Sequence, residues 1–61
     1  MKHYIYVVAY MAEQDDGSEL LAFRHVFINA NNVDDAYRVG WKRLQPTRAM
    51  NDYVIALQDE T

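Results

Sequence analysis

The sequence predicts a single α+β domain over residues 1–61, with β-β-α-β order and a three-stranded, largely antiparallel sheet covered by one helix on one face. Three observations lead to this fold class: two strand-like segments joined by an Asp-Gly turn, a capped amphipathic helix, and a short strand-like segment after it. A length of 61 residues leaves room for one small domain, and no cysteine is present to brace it.

The first two strands are predicted to form a β-hairpin. Residues 3–12 and 19–30 are rich in Tyr, Ile, Val and Phe, which fit a pleated and half-buried surface. Between them, the polar segment 13–18 contains Asp16-Gly17, and both residue types tolerate the positive φ of a tight turn.

The helix is predicted to span Val33 to Leu44. Asn31 or Asn32 can cap its free amides, acidic residues occupy its first turn and basic residues its last, and Pro46 ends it. A third strand is expected over residues 52–58.

Strand alternation assigns side chains to the two sheet faces. The set expected to pack against the helix is Ile5, Val7, Ala9, Met11, Val26, Ile28, Ala30, Tyr53, Ile55 and Leu57. The helix is expected to contribute the stripe Val33, Ala36, Tyr37, Gly40, Trp41 and Leu44. Gly40 within this stripe indicates a close approach to the sheet or to a partner. The face without a helix is expected to carry Tyr4, Tyr6, Val8, Tyr10, Leu21, Phe23, His25 and Phe27.

An open aromatic face on so short a chain predicts an interaction surface, because 51% of the residues are hydrophobic. Self-association as a homodimer or higher homo-oligomer is the first expectation. The residues expected to carry it are Tyr4, Tyr6, Tyr10, Phe23 and Phe27. Docking of another protein and stacking of single-stranded nucleic-acid bases are the alternatives. The net charge of −3 argues against nucleic acid as the partner.

Charge is segregated along the chain. The hairpin turn is acidic, which indicates a solvated turn and, as the alternative, a weak calcium site. Four of the six basic residues lie within residues 38–48. A host protein or a small anionic ligand could bind this segment, through Arg38, Trp41, Lys42, Arg43 and Arg48. Compensation of the helix dipole explains Lys42 and Arg43 equally well.

No catalytic motif is present, so we expect no enzyme, no catalytic residue and no cofactor. His3 and His25 fall on one sheet face, but no carboxylate is placed to complete a metal site, so no metal is expected. The apolar run 4–12 is too short to span a bilayer, which predicts a cytoplasmic protein with no membrane partner.

The junction from Val26 to Ala36 resembles the strand-to-helix junction of HicB-type antitoxins, with a strand that ends in Ala, an Asn cap and acidic residues opening the helix. That resemblance implies a sheet domain that pairs with a small toxin, although Phe27-Ile28-Asn29 stands where the family has Pro-Gly-Cys. The outline is also similar to short phage-encoded β-β-α-β accessory proteins. This likeness implies a non-enzymatic inhibitor, for example of a host defence factor, that acts stoichiometrically by blocking a host protein or sequestering a small anionic ligand.

Overall fold

The computed structural model describes residues 1–47 and 51–58 and confirms the predicted β-β-α-β fold. Its elements are β1 (Lys2–Glu13), β2 (Glu19–Ala30), α1 (Val33–Leu44) and β3 (Asn51–Ala56). The three strands form one antiparallel sheet in the order β2-β1-β3. β3 ends at Ala56, before the predicted end of the third strand. The most continuously apolar strand, β1, lies in the centre of the sheet.

The hairpin turn has the predicted position and the predicted glycine. The amide of Gly17 donates to the carbonyl of Gln14 at 3.0 Å, and Gly17 has a φ of +85°. The Asp16 carboxylate accepts from the amide of Ser18 at 2.9 Å and from its hydroxyl at 2.6 Å. These hydrogen bonds lower the pKa of Asp16 and tie the acidic turn together locally.

The helix begins and ends at the predicted residues. The side chain of Asn32 accepts a hydrogen bond from the amide of Asp35 at 2.9 Å, so Asn32 is the N-cap. At the other end, Gln45 adopts a left-handed φ of 46° and its amide donates to the Trp41 carbonyl at 2.7 Å, directly before Pro46.

The predicted face of β1 is wrong. In the hairpin register Tyr4 pairs with Ile28 and Tyr6 with Val26, so even-numbered residues of both strands share a face. The helix covers that face. The side chains Tyr4, Tyr6, Val8, Ile28, Ala30 and Ala36 form the buried core, and Val26, Val39, Leu44 and Val54 pack against it. The residues of β1 that were expected to face the helix, Ile5, Val7, Ala9 and Met11, lie on the other face.

The predicted face of β3 is also wrong. Val54 pairs with Tyr6 and packs against the core, so Tyr53 and Ile55 point away from the helix. Leu57 lies beyond the end of β3 and is exposed. The assignments of Val26, Ile28 and Ala30 to the helix side, and of Phe23, His25 and Phe27 to the open side, agree with the register.

The apolar stripe of the helix divides into two rows. Ala36, Val39, Gly40 and Leu44 face the sheet, whereas Val33, Tyr37 and Trp41 follow one another at spacing four along an exposed flank. Gly40 makes the close approach to the sheet, since a methyl group built there would meet Tyr6 Cγ at 2.2 Å. The small residues on the inner row leave the space that the tyrosine rings of β1 fill.

Candidate functional site

A shallow groove of mixed chemistry runs along the exposed flank of α1. It has a volume of about 600 Å³ and is lined by two aromatic side chains, two cations and one carboxylate: Asp34, Tyr37, Arg38, Trp41 and Lys42. All five come from one helix, at spacings of three and four residues, so the helix periodicity alone brings them together. Trp41 is 48% exposed and Tyr37 is 41% exposed, although both are large apolar groups.

A cluster of two tyrosines and one carboxylate lies beneath this flank and joins three elements. The Tyr6 hydroxyl of β1 donates to Asp52 Oδ2 of β3 at 2.5 Å, and Tyr37 of α1 lies near enough to Asp52 for the two groups to shift each other's pKa. The Tyr6 and Tyr37 rings meet edge to face, with centroids 5.6 Å apart and planes at 78°. The position of Tyr37 in the groove is therefore set by the sheet and not by the helix alone.

Burial, followed by the hydrogen bond to Asp52 and the charge of Asp52, raises the pKa of Tyr6 far above its ordinary value. The hydrogen bond to Asp52 likewise raises the pKa of Tyr37. Burial alone would raise the pKa of Asp52, but the hydrogen bonds from Tyr37 and Tyr6 outweigh it, and the pKa of Asp52 is lowered. The cluster thus holds two neutral hydroxyls on one carboxylate across neutral pH, which suits a structural clamp.

The predicted anion-binding residues separate into three groups. Arg38, Trp41 and Lys42 line the groove, as neighbours on one face of the helix. Arg43 lies in the last turn and is exposed, but it does not line the groove. Arg48 lies outside the described residues.

Two groove residues were not among the predicted binding residues, namely Asp34 and Tyr37. The sequence predicts Tyr37 as part of the single apolar stripe that faces the sheet. The spacing of four residues between Val33, Tyr37 and Trp41 was the signal that could have placed it on a separate flank.

The predicted self-association residues also separate. Phe23 and Phe27 lie on the open sheet face and are strongly exposed. Tyr4 and Tyr6 are buried under the helix and do not belong to that face, and Tyr10 falls on their side by alternation. The sheet face opposite the helix is therefore open, but β1 contributes aliphatic side chains to it and not tyrosines.

The two histidines share the open face, as predicted, but in separate rows. His3 pairs with Asn29 and places Nδ1 2.6 Å from Asn29 Oδ1, whereas His25 pairs with Val7, four residues farther along, which corresponds to about 13 Å. Within residues 1–47 and 51–58, no three His, Cys, Asp or Glu side chains lie close enough together to hold a metal ion. In the same part of the chain, no helix is long and apolar enough to cross a membrane.

The chain matches no protein-family model, no curated protein and no solved structure.

Proposed function

We propose that this protein is a small, non-enzymatic, cytoplasmic binding protein that acts stoichiometrically by covering an acidic surface of another protein with the outer flank of α1. The observation that carries the proposal is the groove, where Tyr37, Trp41 and Arg38 lie side by side. Tyrosine, tryptophan and arginine are the residue types that contribute most to binding energy at protein interfaces. The exposure of both aromatic rings supports a role outside the core.

The charge of the groove indicates which kind of partner it would bind. Arg38 and Lys42 line the groove and Arg43 follows in the same last turns, whereas Asp34 is the single acidic residue of the lining. The protein as a whole carries a net charge of −3, so this flank is locally opposite in sign to the chain. A negatively charged partner surface would therefore be attracted to this flank in preference to the acidic hairpin turn.

A binding function also agrees with the state of the titratable cluster beneath the groove. Groups with perturbed pKa values often mark catalytic sites, but here the Tyr6 hydroxyl is buried and donates to Asp52. Asp52 accepts this bond and lies near Tyr37 of α1, so the cluster joins β1, β3 and α1.

A small anionic ligand that is sequestered in the groove is the second candidate. The groove volume of about 600 Å³ favours it, since it falls within the range of small-molecule sites. An aromatic anion such as a nucleotide could stack on Trp41 while Arg38 and Lys42 contact its phosphates.

Trp41 is the single tryptophan of the chain, so its fluorescence reports directly on the groove. We expect an acidic polypeptide, poly-glutamate, to shift the Trp41 emission at low salt, with the effect weakening as salt rises. Arg38→Glu and Lys42→Glu should abolish the shift. Arg24→Glu, on β2 and exposed, is the matched charge-reversal control and should keep it.

Nucleotides titrated in parallel distinguish the two candidates. A shift with nucleotides but not with poly-glutamate would replace the protein partner by the small ligand. An emission that neither probe changes at low salt would rule out the groove as an anion-binding surface and overturn the proposal.

A further inference from the structure

The face of the sheet opposite the helix, called the open face here, is mostly apolar. Its side chains are the odd-numbered residues of the three strands, with Glu13 and Glu19 at the hairpin end and thirteen others along the rest of it. They are His3, Ile5, Val7, Ala9 and Met11 from β1, Leu21, Phe23, His25, Phe27 and Asn29 from β2, and Asn51, Tyr53 and Ile55 from β3. None of these thirteen described residues is Asp, Glu, Lys or Arg.

The open face is large for a chain of this length. Its six large apolar side chains Met11, Leu21, Phe23, Phe27, Tyr53 and Ile55 are each between 43% and 63% exposed. Together they leave on the order of 700 Å² accessible, close to the ~800 Å² that each partner buries in a stable protein complex. Monomeric proteins rarely leave so large an apolar area in water.

The shape of the protomer agrees with an apolar surface that a single chain leaves exposed. Its radius of gyration is 13.6 Å and its extents are 47 × 23 × 13 Å. A compact chain of 61 residues would have a radius of gyration of about 10.5 Å. The protomer is thus a thin, elongated, two-layer plate, with the helix on one side of the sheet and nothing on the other among the described residues.

We propose that a second copy of this chain packs on the open face, sheet against sheet across a two-fold axis, with the two helices on the outside. A second copy is the occupant that matches the face in length, twist and lack of charge, because the same surface is self-complementary in an isologous interface. Apart from Glu13 and Glu19 at the hairpin end, the open face carries no charged side chain that would select a foreign partner of opposite sign. The acidic pair Glu13–Glu19 closes it at the hairpin turn as a polar rim.

The centre of the open face has the packing of an interface core. Val7 is buried although it points away from the helix, because His25 and Tyr53 flank it in the neighbouring strands. His25 meets Phe27 edge to face at a centroid distance of 5.7 Å. Phe27 extends from this row and is 63% exposed, which makes it the anchor that the second copy would cover.

This surface is distinct from the groove on α1, so the dimer would carry two grooves, one on each outer side. The two proposals are independent, since the groove residues keep their positions in a monomer.

Sedimentation or light scattering over a range of concentrations tests the dimer. We expect a mass of twice 7.2 kDa for the wild type at micromolar concentration. Phe27→Asp should weaken association about 100-fold or more, because it buries an unpaired carboxylate. Its exposure in the protomer means that the fold itself loses little, and circular dichroism checks this.

Leu20 and Leu21 supply a matched pair, since they are neighbours in β2 with 58% and 60% exposure but point to opposite faces. Leu21→Asp should weaken association and Leu20→Asp should not. If both weaken it equally, pairing along the β2 edge forms the dimer and the proposal is wrong. A wild type that stays at 7.2 kDa at high concentration, or a Phe27→Asp variant that dimerises like the wild type, also overturns it. If Phe27→Asp fails to fold, the Leu20 and Leu21 pair decides.

Discussion

Substituting Gly40 by alanine should destabilise the protein, although alanine is the better helix former. In the middle of an exposed helix, this change would stabilise by about 1 kcal/mol. Here the new Cβ would lie 2.2 Å from Tyr6 Cγ, 2.5 Å from Tyr6 Cβ and 2.6 Å from Tyr6 Cδ2. Carbon atoms in contact are about 3.5–4.0 Å apart, so the helix or the ring must move by about 1.3 Å.

The Tyr6 ring has no free direction in which to move. It is fully buried, its hydroxyl is bonded to Asp52, and the Tyr37 ring lies against its edge. Overpacking of this kind costs roughly 1–3 kcal/mol, and the constraints on Tyr6 place the cost at the upper end. After the gain in helix propensity, we expect a net loss of about 2 kcal/mol, a large part of the ~3–5 kcal/mol that so small a core supplies.

Urea denaturation followed by circular dichroism, at one fixed protein concentration, measures this loss as a lower midpoint. Arg43→Ala is the control in the same helix and should change stability by less than about 0.5 kcal/mol. A Gly40→Ala variant as stable as the wild type would refute the position of α1 over Tyr6.

Two further predictions concern the Tyr6–Asp52–Tyr37 cluster. Tyr6→Phe should lower stability by about 1.5 kcal/mol in the same urea assay, the low end for a hydrogen bond to a charged group, since Asp52 is only half-buried. A variant equal to the wild type would contradict the bond. Because the folded-state pKa values of Tyr6 and Tyr37 are raised above 10.0, their contribution to stability is present below pH 10.0 and is lost above it. The lowered pKa of Asp52 contributes stability above pH 3.8 that is lost as the pH falls below it. In an alkaline titration, tyrosinate absorbance of Tyr6 should appear only with loss of circular dichroism, whereas ionisation of all five tyrosines in the folded protein would contradict the cluster.

The elements of this fold were predictable because their signals are local. The Asp16-Gly17 turn, the Asn32 cap and Pro46 each act within a few residues of their own position, and the structure places every one as the sequence indicates. β1 carries no such signal for its orientation. Its apolar residues run without alternation from Tyr4 to Ala12, so both faces of the strand suit a core.

The orientation of β1 is decided by the register of the hairpin. Glu13 pairs with Glu19 across a loop of five residues, so even residues of β1 must share a face with even residues of β2. The prediction places Ile5 and Ile28 on the same face, which requires odd-numbered residues of β1 to share a face with even-numbered residues of β2. A loop one residue longer or shorter would produce that arrangement. The predicted loop, residues 13–18, has six residues and gives the predicted arrangement, so the error arose from ending β1 one residue before Glu13.

The contact between Tyr6 and Asp52 could not be predicted from local sequence patterns. Tyr6 and Asp52 are 46 residues apart in the chain, and they meet only because β3 pairs with β1 on the side away from β2. The central position of β1 was the available signal, since the most apolar strand usually lies inside a sheet. With that order, the antiparallel register brings Asp52 opposite Val8 and close to Tyr6.

The lengths of the elements leave part of the hairpin uncovered in the single chain. β1 and β2 each have 12 residues, about 40 Å, whereas the 12 residues of α1 span about 18 Å and the six of β3 about 20 Å. The hairpin thus extends beyond the helix that covers one of its faces and beyond β3, which pairs with β1. In that extension Leu20 on the helix side, and Met11 and Leu21 on the open face, are exposed. A two-stranded hairpin alone is marginally stable in water. A second copy on the open face would supply the third layer that one chain of 61 residues is too short to provide.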